Sequence, residues 1–409
     1  STGISPAEQV LEAAARNPGD QELAGPALLA FARAATRPAA VLEAAMPHLA
    51  SRDKETASAA VLAIGVGGGV GAIPHLIHIL TDDKEGRKLA GGRRKVDDRL
   101  RVDAAWALGI AGRRLPDSVL TRGVTHALWI SVNEGKSKNE AVPAACVAAL
   151  SMTRPPDPIH WAGLLVGLAK DRRAEDGIRA QAPGAVARLL VEGDRPPGAV
   201  DQSVRAFLEV LDDRKVPVAV RLGMVEALGH LAEPGSKHGV QVGETLEHLA
   251  QRAKNRAERN FALLALGRFS SRGEGAVANR AFQHLMETVE NGKSATKPWA
   301  ALALGLLGRE FSRAHGAIDV MAEEALRKGM LASRDAESQA AFALALGLCG
   351  PDSVETVPDI VKVTGKTRNP VLRGAGSLAL GLIGSRDSQS TIAEWLGKSL
   401  KEPEALGDV

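Results

Sequence analysis

The sequence has few aromatic residues and almost no cysteine. Tyrosine is absent, and Phe, Trp and Tyr together make up 3% of the 409 residues. This argues against sites that stack nucleic-acid bases on aromatic side chains. The two cysteines, Cys146 and Cys349, lie far apart in the chain and within apolar stretches. We therefore expect two buried free thiols and no disulfide.

Long apolar runs and a strong net charge are also missing. No stretch approaches the roughly 20 apolar residues that a membrane-spanning helix needs, so we expect no membrane insertion. The 51 basic and 48 acidic residues leave a net charge of +3, so no global field commits the chain to DNA or to an anionic membrane. The start, STGISPAEQV, has no initiator Met and no signal peptide. We favour a cytoplasmic location, and a processed exported form stays open.

The most informative feature of the sequence is a repeat. Residues 373–384, RGAGSLALGLIG, recur in variant form along most of the chain, with a first residue, usually basic, eight positions before a small residue, usually glycine. The first residues of the nine copies are Ala57, Arg101, Pro143, Arg179, Arg221, Arg259, Lys297, Gln339 and Arg373. Their spacing of 34 to 44 residues, with two helical patterns in each interval, predicts a solenoid of stacked helix pairs.

The first residue of each copy lies on the helix stripe that we expect to be buried. At about 100° per residue, Arg221 shares one face of its helix with Val225 and Leu228. An unpaired buried charge is costly, so each of these side chains needs a partner. We expect them to bond the turn between the two helices of a pair, as a structural ladder. The ladder comprises Arg101, Arg179, Arg221, Arg259, Lys297, Gln339 and Arg373.

A turn Asp or Asn, then Arg, then an Ala-Leu-Gly run, with proline early in the preceding helix, resembles the HEAT-repeat family, especially its short bacterial form. The resemblance covers roughly residues 38–400. It implies an all-α, right-handed superhelical α-solenoid (an armadillo-type fold) of about nine helix pairs. We expect capping helices over residues 1–37, one elongated array over 38–387 with an insertion at 81–101, and a capping helix and tail over 388–409. Members of the family serve as scaffolds, nucleic-acid binders and, in a few cases, enzymes.

The middle copies depart from the consensus. At the position just after the small residue, only three of the nine copies have a polar residue: Arg188, His230 and Arg268. At the position three before the small residue, the other copies have an apolar or small residue and one copy has Glu226. Glu226 and His230 are four apart and share a helix face, so stacking would align all four residues in a stripe. The stripe could bind a partner or supply a general acid or base, or it could be the exposed surface of a curved array.

The insertion at residues 81–101 carries a basic cluster that includes Arg93, Arg94 and Lys95, with aspartates on both sides. Insertions in solenoids form loops along one edge, often a binding edge, although this one could also be a solvated loop that neutralises itself. Just before it, His75 and His78 have a spacing that suits a metal, but no third ligand is evident. We therefore predict no metal site.

The leading functional prediction is a non-catalytic scaffold or adaptor that binds a protein or peptide in a groove lined mainly by second helices. The alternative is nucleic-acid binding through the insertion and the arginines of the stripe, which would depend steeply on salt. A third hypothesis is an enzyme similar to HEAT-like lyases or glycosylases. We predict no catalytic residues and no cofactor, and the oligomeric state stays open.

Overall fold

The computed structural model describes residues 4–16, 21–92, 94–115, 118–133, 139–192, 196–315, 320–350, 355–365, 367–384 and 389–393. Within these residues every regular element is helical, with twenty-one α-helices and one 3-10 segment. The helices pack as consecutive pairs along the chain. The prediction of an all-α fold is therefore confirmed.

Most helices belong to one of two sets, the first and the second helices of the pairs. The first helices are α1 (Pro6–Arg16), α3 (Pro38–Ala45), α5 (Ala72–Thr81), α8 (Ser118–Asn133), α10 (Pro158–Lys170), α12 (Pro197–Leu211), α14 (Gly239–Arg252), α16 (Ala276–Asn291), α18 (Val320–Ala332) and α20 (Thr356–Gly365). The second helices are α2 (Gln21–Ala34), α4 (Lys54–Gly67), α7 (Asp98–Gly112), α9 (Ala141–Leu150), α11 (Asp176–Glu192), α13 (Val218–Leu231), α15 (Arg256–Ser270), α17 (Lys297–His315), α19 (Ala336–Cys349) and α21 (Pro370–Ile383). In the order of the described helices, nine pairs, from α3–α4 to α20–α21, match the predicted number, and α1–α2 forms a further pair.

The chain divides into two compact units, Ser1–Ser203 and Val204–Val409. In the first unit the second helices α2, α4, α7, α9 and α11 pack one on the next. In the second unit α13, α15, α17, α19 and α21 do the same, while α14, α16, α18 and α20 form the other layer. The core of each unit lies between its layers, and its largest fully buried side chains include Phe31 in the first unit and Phe207, Phe269 and Phe342 in the second.

The small residue of the repeat lies where two second helices touch. A Cβ on Gly229 would stand 2.7 Å from the Cα of Ala265, and a Cβ on Gly305 would stand 2.7 Å from the Cα of Ala345. Real Cβ atoms do not approach that closely, so only glycine allows this spacing of the backbones. The same glycine-on-alanine contact recurs at Gly65, Gly109, Gly267 and Gly347.

The turn residues that precede the second helices act as helix caps. Side-chain oxygens of Asp53, Asp97, Asn255, Asp335 and Asn369 accept hydrogen bonds from backbone N–H groups in the first turn of the helix that follows. Each such cap satisfies a donor that has no partner within the helix and contributes about 1 kcal/mol. The recurring Asp or Asn therefore marks where these five second helices, α4, α7, α15, α19 and α21, begin.

Two segments differ from what their sequence predicts. The sequence of residues 38–50 predicts one helix, the first of the array, but α3 ends at Ala45 and a 3-10 segment, Met46–Ala50, follows it. Pro47 has no N–H to donate to the preceding turn, so the α-helical ladder stops there. The insertion is not a loop throughout, because it contains a short helix, α6 (Lys84–Leu89).

A helix cap and a close contact with α5 stabilise the short helix α6. Asp83 caps its first turn by accepting a hydrogen bond from the N–H of Gly86. Gly86 is buried against α5, where a Cβ would overlap the carbonyl of His78. Only glycine fits this contact, which ties the insertion to the end of α5.

None of the helices in the described part of the chain is long and apolar enough to cross a membrane. Of the predicted C-terminal capping helix over 388–409, only residues 389–393 belong to that part, and they are helical.

Candidate binding site

The side chains of the structural ladder donate hydrogen bonds to carbonyl groups at or just after the end of the preceding first helix. The pairs are Arg101 Nε with Leu80 O (2.8 Å), Arg179 Nε with Ala169 O (3.3 Å), Arg221 Nη1 with Leu211 O (2.7 Å), Arg259 Nη1 with Ala253 O (2.6 Å), Lys297 Nζ with Glu290 O (2.6 Å), Gln339 Nε2 with Ser333 O (3.0 Å) and Arg373 Nη2 with Thr367 O (2.9 Å). The last carbonyls of a helix lack partners within it and attract positive charge. These contacts support a structural role for all seven residues.

Arg221 also pairs with a carboxylate of the neighbouring second helix, whereas Arg101 and Arg179 pair with an acid of their own helix, Asp98 and Asp176. The Nε and Nη2 of Arg221 both donate to one carboxylate oxygen of Glu258, at 2.7 and 2.6 Å, and so join α13 to α15. Arg221 is 9% exposed and Glu258 is 6% exposed. In most other copies the position of Glu258 holds an apolar residue, and in the rest Ser or Thr. The single acid at that position is visible in the sequence, but the repeat pattern alone did not predict its role.

The buried pair forms the floor of an open groove in the second unit. The groove lies between the turn that follows α12 and the exposed side of α14, and its volume is about 1150 Å³. No Phe, Trp or Tyr is among the residues that line it. They are Leu211, Asp212, Arg214, Arg221, Gln241, Glu244, Thr245, His248, Leu249, Arg252, Ala253, Lys254 and Glu258.

The rim of this groove is basic. Arg214, Arg252 and Lys254 are exposed, and none of their side chains forms an ion pair or hydrogen bond with another described residue. Of the acidic residues in the lining, Glu258 is held by Arg221, and Glu244 lies 3.9 Å from Arg280 on α16. The cations therefore outnumber the carboxylates that could neutralise them.

The predicted stripe is divided between the two units. Arg188 belongs to the first unit, where its Nη1 donates to the hydroxyl of Ser151 at 3.1 Å. In the second unit, Arg268 Nη1 lies 2.7 Å from His230 Nε2, and Glu226 is exposed one helical turn earlier. A guanidinium always donates, so His230 Nε2 must accept. The lone pair of that nitrogen is thus occupied by Arg268, which does not favour a general base at His230.

The basic insertion is largely neutralised by its own aspartates. Arg87 pairs with Asp82 at 3.0 Å, and Lys95 pairs with Asp98 at 3.2 Å. Arg94 is exposed, and Arg93 lies outside the described residues. The insertion therefore presents less free positive charge than its sequence suggests.

The two histidines before the insertion are not arranged as metal ligands. His78 Nδ1 lies 2.6 Å from a carboxylate oxygen of Asp83. Across the described ranges, no three residues of the types His, Cys, Asp and Glu come together as a metal site requires.

The fold and the groove define this chain as an all-α helical-repeat protein. No family model matches its sequence, and no curated protein matches it. Among solved structures it is similar to the Kap95:Nup1 complex (TM-score 0.45, 14% identity, 96% of this chain and 57% of that one) and to importin β crystallised from polyethylene glycol (0.41, 16%, 97% and 62%). It is also similar to the karyopherin Kap121p bound to the extreme C-terminus of the phosphatase Cdc14p (0.34, 13%, 98% and 52%).

This chain spans only about half to three fifths of the length of those karyopherins. At these TM-scores the likeness adds nothing to the fold assignment. That assignment rests on the pairing and packing of the helices themselves.

Proposed function

We propose that this protein is a non-catalytic binding protein for a polypeptide segment, and that the groove over Arg221 and Glu258 is its binding site. The groove itself carries this proposal. Its volume of about 1150 Å³ exceeds the roughly 300–1,000 Å³ of small-molecule sites, and ten of its thirteen lining residues are polar or charged, whereas hydrophobic and aromatic residues predominate in small-molecule sites. A long, open and polar groove suits a chain of amino acids better than a compact ligand.

The floor of the groove favours binding because it is already ordered. Arg221 is fixed by the Glu258 carboxylate and by the carbonyls of Leu211 and Asp213. A site that is ordered before its ligand arrives loses less conformational entropy on binding. Arg221 and Glu258 are bonded to each other, so neither stands ready for proton transfer or nucleophilic attack.

The test is selection of peptides on the full chain from a random phage-displayed library. Thr245 is half-buried on the wall of the groove, so Thr245→Trp would fill the space a peptide needs. Glu287 is exposed on α16 and does not line the groove, so Glu287→Trp is the matched control. We expect selected peptides to lose binding to Thr245→Trp and to keep it with Glu287→Trp. Selected peptides that bind both variants equally, or a library that yields none, would reject the groove as the site.

The stripe remains a second candidate surface for the same function. Arg268 and His230 are hydrogen-bonded to each other, and Glu226 is exposed on the same helix as His230. Substituting Glu226, His230 and Arg268 together with Arg188 by alanine tests this surface with the same selected peptides. Nucleic-acid binding and membership of the short bacterial HEAT-repeat family also remain proposals.

A further inference from the structure

We infer that the segment bound in this groove is acidic, and that Arg214, Arg252 and Lys254 recognise its carboxylates. The inference rests on the proposed function and specifies its partner. The three cations come from different places: Arg214 from the turn after α12, Arg252 from the last turn of α14, and Lys254 from the turn after α14. Their charges thus border the groove on both of its sides.

These cations are not neutralised, in contrast to the paired basic residues of the insertion and of α16. In the insertion, Arg87 and Lys95 have aspartate partners, and on α16 Arg280 has Glu247 at 2.9 Å. No described residue forms an ion pair with Arg214, Arg252 or Lys254. Exposed charges without partners are the ones that a ligand of opposite charge can use.

The negative groups near the groove are mostly occupied. Glu258 is bonded to Arg221, and Glu244 lies beside Arg280. Asp212 has no described partner and Glu244 shares Arg280 with Glu247, so three cations face two carboxylates that are not fully neutralised. An anionic segment therefore meets an excess of positive charge.

The side chains of the structural ladder also reduce the repulsion between the helix C-termini at the groove and an acidic ligand. A helix carries partial negative charge at its C-terminus, and both α12 and α14 end at this groove. The carbonyl of Leu211 at the end of α12 accepts from Arg221, and that of Ala253 after α14 accepts from Arg259. The helix ends are thus capped by cations and do not oppose an acidic ligand.

The lining favours an acidic peptide over a nucleic acid. It has no Phe, Trp or Tyr side chain on which a base could stack, and its acidic residues interrupt the row of cations that a phosphate backbone would follow. Along α14 the lining runs from Gln241 to Arg252, which spans about 17 Å at the helical rise. An extended peptide covers that length with about five residues.

The test measures binding of short fluorescein-labelled peptides to the full chain by fluorescence anisotropy. The probes are a seven-residue peptide with alternating Glu and Ser, its Gln and Lys counterparts, and a ten-nucleotide oligothymidine. We expect the Glu peptide to bind most tightly and to weaken at least tenfold between about 50 and 300 mM NaCl, because exposed charges are screened by salt. The double variant Arg252→Glu/Lys254→Glu should weaken it at least tenfold.

The control is Lys237→Glu/Lys293→Glu, which makes the same change of charge at two exposed lysines of the second unit outside the groove. It should leave the affinity within about twofold. Tighter binding of the Gln or Lys peptide, blocked by Thr245→Trp, would overturn the acidic assignment and leave the proposed function intact. Tighter binding of the oligothymidine would overturn the assignment in favour of nucleic acid. If neither these probes nor library peptides bind at the groove, the proposed function fails as well.

Discussion

Glu258 neutralises Arg221 between two neighbouring helix pairs, with one carboxylate oxygen accepting from both Nε and Nη2. Both side chains are almost fully buried. We expect Glu258→Ala to lower the free energy of unfolding by about 3–5 kcal/mol, because it leaves a buried guanidinium without its counter-charge. Urea unfolding of the full chain, followed by circular dichroism, measures the change.

The control for this prediction replaces both partners. Arg221→Met/Glu258→Leu removes the charges together, so we expect it to recover most of the loss, since apolar residues of similar volume often replace a buried ion pair at little cost. A double variant that is less stable than Glu258→Ala would contradict this expectation. It would show that the contacts of Arg221 with Leu211 and Asp213 matter more than the ion pair.

The second prediction concerns the glycine of the repeat. In Gly305→Ala, the new Cβ would stand 2.7 Å from the Cα of Ala345, so α17 and α19 must move apart. Overpacking of this kind costs about 1–3 kcal/mol, which outweighs a gain of about 1 kcal/mol in helix propensity. We therefore expect a net loss of stability, measured by urea or thermal unfolding.

Gly381 offers the matched control because it holds the same position in the last copy. Among the described residues, its only neighbour within 4 Å of the new Cβ is a methyl group of Ile392, at 4.0 Å. Gly381→Ala should be neutral or slightly stabilising. Equal losses in Gly305→Ala and Gly381→Ala would mean that the close approach of α17 and α19 is not what requires glycine.

The repeat made the helix pairs predictable because one local pattern records both helical periodicity and close packing. The position of Arg221 followed from the same pattern, since helical angle places it on a buried stripe. Glu258 did not follow, although it breaks the pattern, because it lies just before the first residue of its copy. The repeat pattern makes no prediction about the residue type at a position outside the repeated segment.

The groove was less predictable still. Its walls come from the turn after α12 and from one side of α14, and the pattern of the second helices contains neither. The pairing of Arg268 with His230 depends on the direction of two side chains, which sequence spacing does not determine. The sequence therefore identifies the polar residues of a repeat, but it does not show which of them form hydrogen bonds with one another.

The two cysteines provide a test of each unit separately. Cys146 lies in the first unit and Cys349 in the second, and burial raises the pKa of each thiol to about 12. At pH 8 about one thiol in ten thousand would be ionised even if a reagent could reach it. We expect native protein to resist a thiol reagent and each cysteine to react only as its own unit unfolds in urea.

The measurement is labelling at increasing urea, with mass spectrometry to assign each modified cysteine. Cys146→Ala and Cys349→Ala serve as controls for the assignment. Rapid modification of either thiol in native buffer would show that its helix opens without unfolding of the unit. Labelling of both cysteines at one urea concentration would show that the two units unfold together.

Asp103 on α7 gives a prediction about pH. Burial raises the pKa of its carboxyl above the ordinary value of 3.8, and the Ser58 hydroxyl and the Arg99 guanidinium offset this only in part. The folded state therefore holds this proton more tightly than the unfolded state does. Its contribution to stability is complete below pH 3.8 and is lost as the pH rises through the raised pKa. Asp103→Asn should accordingly be more stable than the natural protein at pH 7, and the difference should vanish near pH 3.5.

Asp53 supplies a control of opposite sign. Hydrogen bonds from the Thr56 hydroxyl and from the N–H groups of Thr56 and Glu55 lower its pKa, so its stabilising effect is present at neutral pH and is lost in acid. Asp53→Asn should therefore be less stable than the natural protein at pH 7, and the difference should begin to shrink only as the pH falls below 3.8. Urea unfolding of the three proteins between about pH 3.5 and 8 compares the two effects. If both variants shift stability in the same direction at pH 7, burial is not what controls the Asp103 carboxyl, because the asparagine side chain itself would then explain both results.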